Sequence, residues 1–289
     1  MTFNYIIHSK DIMNEYKIIP IITDYIKPGE SYDSIIHQAS KYLKDGDFLV
    51  ISETPIAISQ GRIVDEKNFK PSLVAVLLAD VWAKYLWGYI LGPVFRIRSR
   101  TIQNLKKLPK EARNHKQLIL DYYGYKHALK PASEAGVDLS NVPGSSVCLL
   151  PEDPDAVVAD ISAKIISNYN KDVTVVIVDT DVTYQLRGTK FTSIPIAMPG
   201  IKKNLGIFAY MLGRIGKVKG PTPLAVSNNE DAEKIIKIAK IAEDYQKEKE
   251  ISMATVYDMT ETFNEDITGV TIEMLESVEH APAVIIRKR

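Results

Sequence analysis

The chain has 289 residues, 45% of them hydrophobic and 25% charged, an ordinary globular composition that argues against disorder and can bury one large core or two modest ones. Lysine plus arginine number 36, as do aspartate plus glutamate, so no global field holds a polyanion and nucleic acid is not expected as a main partner. A single cysteine, Cys148, excludes an intrachain disulfide and a multi-cysteine metal site, and fits a reducing cytoplasm.

The N-terminal stretch MTFNYIIHSKDIMNEYK lacks the basic start, apolar run and cleavage site of a secretory signal, so a cytoplasmic protein is expected. YKIIPII reads as a strand. PGE then supplies a turn before SYDSIIHQASKYL, where Ile35, Ile36 and Ala39 recur at helical spacing behind Ser31 or Asp33 as a cap. KDGDFLVIS predicts a strand buried on both faces, and TPIAISQGRIVD the loop leaving its carboxyl end, where ligand sites form in open α/β sheets. Ser72 to Phe95 is the most apolar stretch, interrupted by Asp80 and Lys84. It predicts a buried helix at a subunit interface rather than a membrane span.

From Arg96 to His127 the chain is basic and tyrosine-rich without a clear period, an exposed arm or helical excursion in preference to an RNA-binding patch. The segment from Gly136 to Asn170 reads as loop, strand, turn and helix, with Asp153 or Asp155 at the helix start. VTVVIV is the clearest buried strand, ending in Asp179, Thr180 and Asp181. A helical interior follows, then a Gly- and Pro-rich end. The last clear element is a charged helix whose Ile235, Ile236, Ile238, Ala239, Ile241 and Ala242 form one apolar stripe. No repeat or linker marks a boundary, so the reading is one α/β (α+β, mixed-sheet) unit over residues 1–289, its division into two lobes left open.

Three features carry chemistry. Carboxylates at the end of a buried strand are costly unless compensated, and magnesium or manganese would compensate Asp179 with oxygen ligands; a turn cap, or pairing with Arg187 or Lys190, is the competing account. Asp138 in AGVDLSNV, beside Ser140 and Asn141, adds oxygen and amide groups, although alone it is an ordinary turn aspartate. In MLGRIGKVKGPTP, glycines alternate with Arg214, Lys217 and Lys219, a pattern suited to phosphate but also to an exposed basic hairpin. The histidines are scattered and no GxSxG elbow occurs, which disfavours zinc and serine hydrolases.

Taken in order, IPII (19–22), GDFLVIS with QGRIV (46–64), AGVDLSNV (135–142), LLPEDPD (149–155) and VDTDVTYQLRG (178–188) resemble the successive motifs of the coenzyme F-420 gamma-glutamyl ligases. MLGRIG with PTPLAV resembles that family's glycine-rich nucleotide loop in degraded form. The resemblance implies an intertwined homodimer that uses GTP as cosubstrate and Mg2+ or Mn2+ to join glutamate through its amine to a carboxylate acceptor such as the deazaflavin precursor. It implies Asp138 and Asp179 as metal ligands with Thr180 beside a second metal site, and Asp179 and Arg187 as catalytic. Ile19, Pro20, Ile21, Ile22, Glu53, Thr54, Asn141, Leu212, Gly213, Arg214 and Gly216 match nucleotide-contacting positions. Two departures stand out: Ile58 replaces a lysine, and Arg214 replaces an acidic ligand that an arginine cannot imitate. A paralogue acting on another small acid, or a noncatalytic ligand-binding protein on the same scaffold, are the alternatives these departures allow.

Overall fold

A computed structural model describes residues 15–249, 256–266 and 269–289; the expectations for the first 14 residues, His8 among them, lie outside these. The central feature is a seven-stranded mixed sheet. Its strands are β1 (Tyr16–Thr23), β2 (Phe48–Ser52), β5 (Thr174–Leu186), β6 (Thr189–Thr192), β7 (Ile201–Lys202), β8 (Lys217–Val226) and β9 (His280–Lys288), in the order β1-β9-β2-β5-β6-β7 with β8 also paired to β5. A separate two-stranded ribbon joins β3 (Ile63–Asp65) and β4 (Ser146–Cys148). Pro20, which cannot donate to a ladder, sits in edge strand β1, where a missing N–H is tolerated.

Alternation along the central strands divides their side chains between two cores. Leu49, Ile51, Val175, Ile177, Ala283 and Ile285 meet α1 (Asp33–Ser40) and α7 (Pro154–Tyr169) on one face. Val50, Val176, Val178, Val284 and Ile286 meet α9 (Ala232–Lys249) on the other. The expected stripe of α9 is fully buried there, from Ile235 to Ala242; burying one such isoleucine is worth about 1.5–3 kcal/mol. Asp153 caps α7, accepting from the N–H of Ala156, as expected. Neither Ser31 nor Asp33 caps α1, whose N-cap position is Tyr32.

Two expectations need correction. TPIAIS is not a loop but part of α2 (Glu53–Ser59), which starts directly after β2. Its Ile56, Ala57 and Ile58 pack inward, so tertiary burial overrides the weak helical preference of its β-branched residues. The carboxylates at 179 and 181 do not end their strand, because β5 runs on to Leu186. The Gly- and Pro-rich segment from Lys217 forms the strand β8.

The apolar helix α3 (Leu73–Val94) is not buried all round. Leu73, Leu77, Val81, Tyr85 and Tyr89 are exposed on one side, at the four-residue spacing that its wide π-type turns over Leu77–Leu91 place on one face. Its charges face the protein: Asp80 pairs with Arg113 at 2.6 Å, and Lys84 donates to the carbonyl of Leu108 at 2.8 Å. The excursion beyond it forms α4 (Ser99–Lys106), α5 (Ala112–Tyr123) and α6 (Tyr125–Ala128). The helical interior expected before β8 is α8 (Ile207–Leu212). Two helices near the C-terminus, α10 (Val256–Phe263) and α11 (Ile272–Glu276), precede β9.

Candidate functional site

Strands β2 and β5 run parallel and in register, Ser52 opposite Val178. The next residue of each is therefore Glu53 and Asp179, where the parallel pairing stops because β2 ends while β5 runs on; the carboxyl end of such a strand is where open α/β sheets bind ligands. Glu53 enters the first turn of α2 and Asp179 enters an irregularity in β5, where the pairing with β8 skips from Asp179 to Val182. That skip frees Thr180 and Asp181 from the ladder.

Asp138 comes from the loop before β4, tied by a backbone bridge to Cys148. Its Oδ1 accepts the N–H of Ser140 at 2.9 Å and its Oδ2 the hydroxyl of Ser140 at 2.5 Å. Thr54 Oγ1 stands 3.1 Å from Glu53 Oε1 and 3.3 Å from Asp138 Oδ2, so one hydroxyl proton serves two carboxylates. The same loop touches Asp179: at Gly136, with φ +74°, an added Cβ would fall 2.6 Å from Asp179 Oδ2. Thr54 thus links Glu53 to Asp138, and the loop that carries Asp138 reaches Asp179 at Gly136.

Glu53 and Asp179 are buried and Asp138 is half-buried, and all three carboxylates are short of positive charge. Asp179 is 3% exposed; its Oδ1 accepts the N–H of Asp181 at 2.5 Å, but Oδ2 has no hydrogen-bond partner. Burial first, then the charge of Asp138, pushes Glu53 up to about 8. Burial, then Glu53 and Asp181, raises Asp179 well above the carboxylate range. Burial also raises Asp138, against the pull of its hydroxyl and N–H donors. Carboxylate oxygens short of hydration are the donor type a hard cation takes. Among the described residues no three His, Cys, Asp or Glu side chains already form a ligand cage, so a cation held by Asp138 and Asp179 would draw further oxygen from hydroxyls, backbone or water.

Beside the cluster opens a cleft of about 760 Å3, mouth included, lined by Glu53, Thr54, Asp138, Ser140, Asn141 and Thr180 from one side and by Asp24, Tyr25, Glu279 and His280 from the other. This places Glu53, Thr54, Asn141, Asp138 and Thr180 together. Among the described residues no lysine or arginine lines the cleft, and Ile58 does. Ile19, Pro20, Ile21 and Ile22 lie in β1 short of the cleft, which begins at Thr23.

Other expected residues lie elsewhere. Leu212 ends α8, and Gly213, Arg214 and Gly216 form the turn from it to β8, with Gly213 against the ring of Tyr184 and the Arg214 guanidinium 4.7 Å from the centre of the Tyr210 ring. Arg187 occupies the exposed tip between β5 and β6 with φ +49°, eight residues and roughly 25 Å along the strand from Asp179. It does not pair with the carboxylates, nor does Lys190, which pairs with Glu233 at 3.2 Å. The partner is instead Lys130, 3.0 Å from Asp181 Oδ2. Lys130 went unnoticed in the sequence, although it stands eight residues before Asp138. Asp24, Glu279 and His280 carry no local signal; they reach the cleft because Thr23 of β1 pairs with His280 of β9.

Residues 20–288 match the model of the F420-0:gamma-glutamyl ligase family. The chain belongs to that family. It is 38% identical over 284 residues to an uncharacterised protein of Methanocaldococcus jannaschii, covering 93% of this chain and 95% of that one. It is 31% identical over 136 residues to the coenzyme F420:L-glutamate ligase of Natronomonas pharaonis, 47% of each chain. To the enzyme of the same name from Methanopyrus kandleri it is 26% identical over 156 residues, 54% of this chain and 55% of that one.

Proposed function

We propose that this ligase-family chain forms an amide between an amino acid, glutamate by family likeness, and a small-molecule carboxylate, driven by GTP and requiring Mg2+ or Mn2+. The observation that carries the reading is the pair Glu53 and Asp138 lining an open cleft, with buried Asp179 next to Glu53's strand and one of its oxygens unpartnered. Asp138 and Asp179 would hold the metal, whose chemistry is to offset charge on a transferring phosphoryl group. In such a reaction the γ-phosphoryl passes to the acceptor carboxylate, and the amine then displaces phosphate from the activated acid. The amine must lose a proton as it attacks. Glu53, in the cleft lining and raised above the ordinary carboxylate range by burial, is the side chain suited to take it in its ionised form.

Ile58 in the cleft lining favours a second reading, a paralogue with another acid as acceptor, because an apolar side chain stands where the family resemblance puts a cation. A homodimer is part of the proposal, supported by the exposed apolar side chains of α3 and by Phe208, Met211, Leu212 and Ile215 around α8. The test is phosphate release from GTP, with ATP as comparison, in the presence of Mn2+, glutamate and a panel of carboxylates that includes the deazaflavin precursor. Release that needs both amine and acid, with a product of the summed mass less water, is expected. Absence of both release and metal-linked nucleotide binding contradicts the reading.

A further inference from the structure

The acidic side chains at 53, 138, 179 and 181 do not share one environment. Glu53, Asp138 and Asp179 are met by hydroxyl and N–H groups, whereas Asp181 is met by a buried ammonium. Lys130 Nζ lies 3.0 Å from Asp181 Oδ2 and donates to Ser193 Oγ at 2.8 Å. Among the described residues Lys130 is the one lysine or arginine within ion-pair distance of any of the four. The seat of this lysine is built around it. Lys116, itself buried, donates to the carbonyl of Lys130 at 2.9 Å, to that of Ala128 at 2.7 Å, and to Glu134 Oε1 at 2.7 Å. One buried lysine thus fixes the backbone that carries the other, eight residues upstream of Asp138.

A lysine so fixed cannot leave when ligands arrive, and its charge acts on Asp179 as well as on Asp181. We propose that Lys130 is a resident cation that supplies the charge a second metal ion would otherwise bring. The site then takes one divalent ion at Asp138 and Asp179, with Asp181 a partner of the lysine rather than a ligand. Lys130 is in this sense a positioning residue, acting through Asp181, whose N–H holds Asp179 Oδ1. The inference deepens the ligase reading and rests on its metal site.

Calorimetric titration with Mn2+ alone tests it on the full chain and on two variants. The wild type is expected to bind one ion per chain. Lys130→Met leaves Asp181 uncompensated and is expected to bind two, the second about tenfold more weakly. Lys130→Met/Asp181→Asn removes both charges of the buried pair, a change that cores tolerate far better than loss of one partner. It is expected to return to one ion with affinity within about threefold of wild type, and it carries the test if the single variant does not fold. Two ions in the wild type, one ion in a folded Lys130→Met, or a loss beyond about tenfold in the double variant each overturn the role of Lys130 and leave the ligase reading standing. No binding by the wild type removes the metal site and this inference together.

Discussion

Each buried carboxylate sheds hydration worth several kcal/mol unless charge or donors replace it, and Asp179 Oδ2 has no donor at all. Replacing that aspartate by asparagine removes the charge and keeps the volume. Asp179→Asn is therefore expected to lower metal-dependent turnover on the order of 100-fold while raising the metal-free melting midpoint, by about 2–4 °C per kcal/mol of repulsion relieved. Turnover equal to wild type in a steady-state assay rejects the residue as a ligand. Glu53 makes a pH prediction whose sign is fixed. Unfolded, it ionises near 4.5; folded, it keeps its proton to about 8. Between these values the folded chain binds more protons than the unfolded one, so metal-free stability is expected to fall as pH rises from 4.5 to 8, and Glu53→Gln to flatten that slope in melts across the range. At Gly136 the positive φ and the 2.6 Å approach to Asp179 Oδ2 leave no room for a side chain. Gly136→Ala is expected to cost about 1–3 kcal/mol in denaturant unfolding.

At the scale of elements, periodicity was a good guide wherever a face or a run was continuous. The strands at 48–52 and 174–178, the helix from Ala232 and the cap at Asp153 were all legible, because burial alternates or recurs along them. Helix α2 was not, since Pro55 and two isoleucines dominate it and only packing beneath the cleft makes it helical. Nor was the continuation of β5 past Asp179: a local reading takes acids as a strand end, whereas here an irregular pairing accommodates them and β6 and β8 extend the ladder. Element pairing also rests on Arg287 of β9, which clamps buried Asp47 at 2.7 Å and the carbonyl of Tyr42 at 2.6 Å. Arg287→Met strands that carboxylate and is expected to destabilise by about 3 kcal/mol in denaturant unfolding. A change below about 0.5 kcal/mol would show the clamp to be unimportant.

For the whole molecule, motif order carried the family assignment, while what closes the cleft escaped the sequence. Asp24 and His280 are separated by nearly the full chain, and only the antiparallel pairing of β1 with β9 joins them. Lys130, likewise, declares its place only once residue 181 is beside it. If two chains associate through α3, Leu77→Glu with Val81→Glu is expected to halve the mass seen by sedimentation. The central claim, that Asp138 and Asp179 hold a cation beside Glu53, is tested most directly by titrating Mn2+ at pH 7 in two buffers of different ionisation heat. Binding requires carboxylates that hold protons in the free protein to release them, so uptake of Mn2+ with proton release, abolished in Asp179→Asn, is the predicted result. Binding without proton release that persists in Asp179→Asn, or no binding at all, would contradict the account.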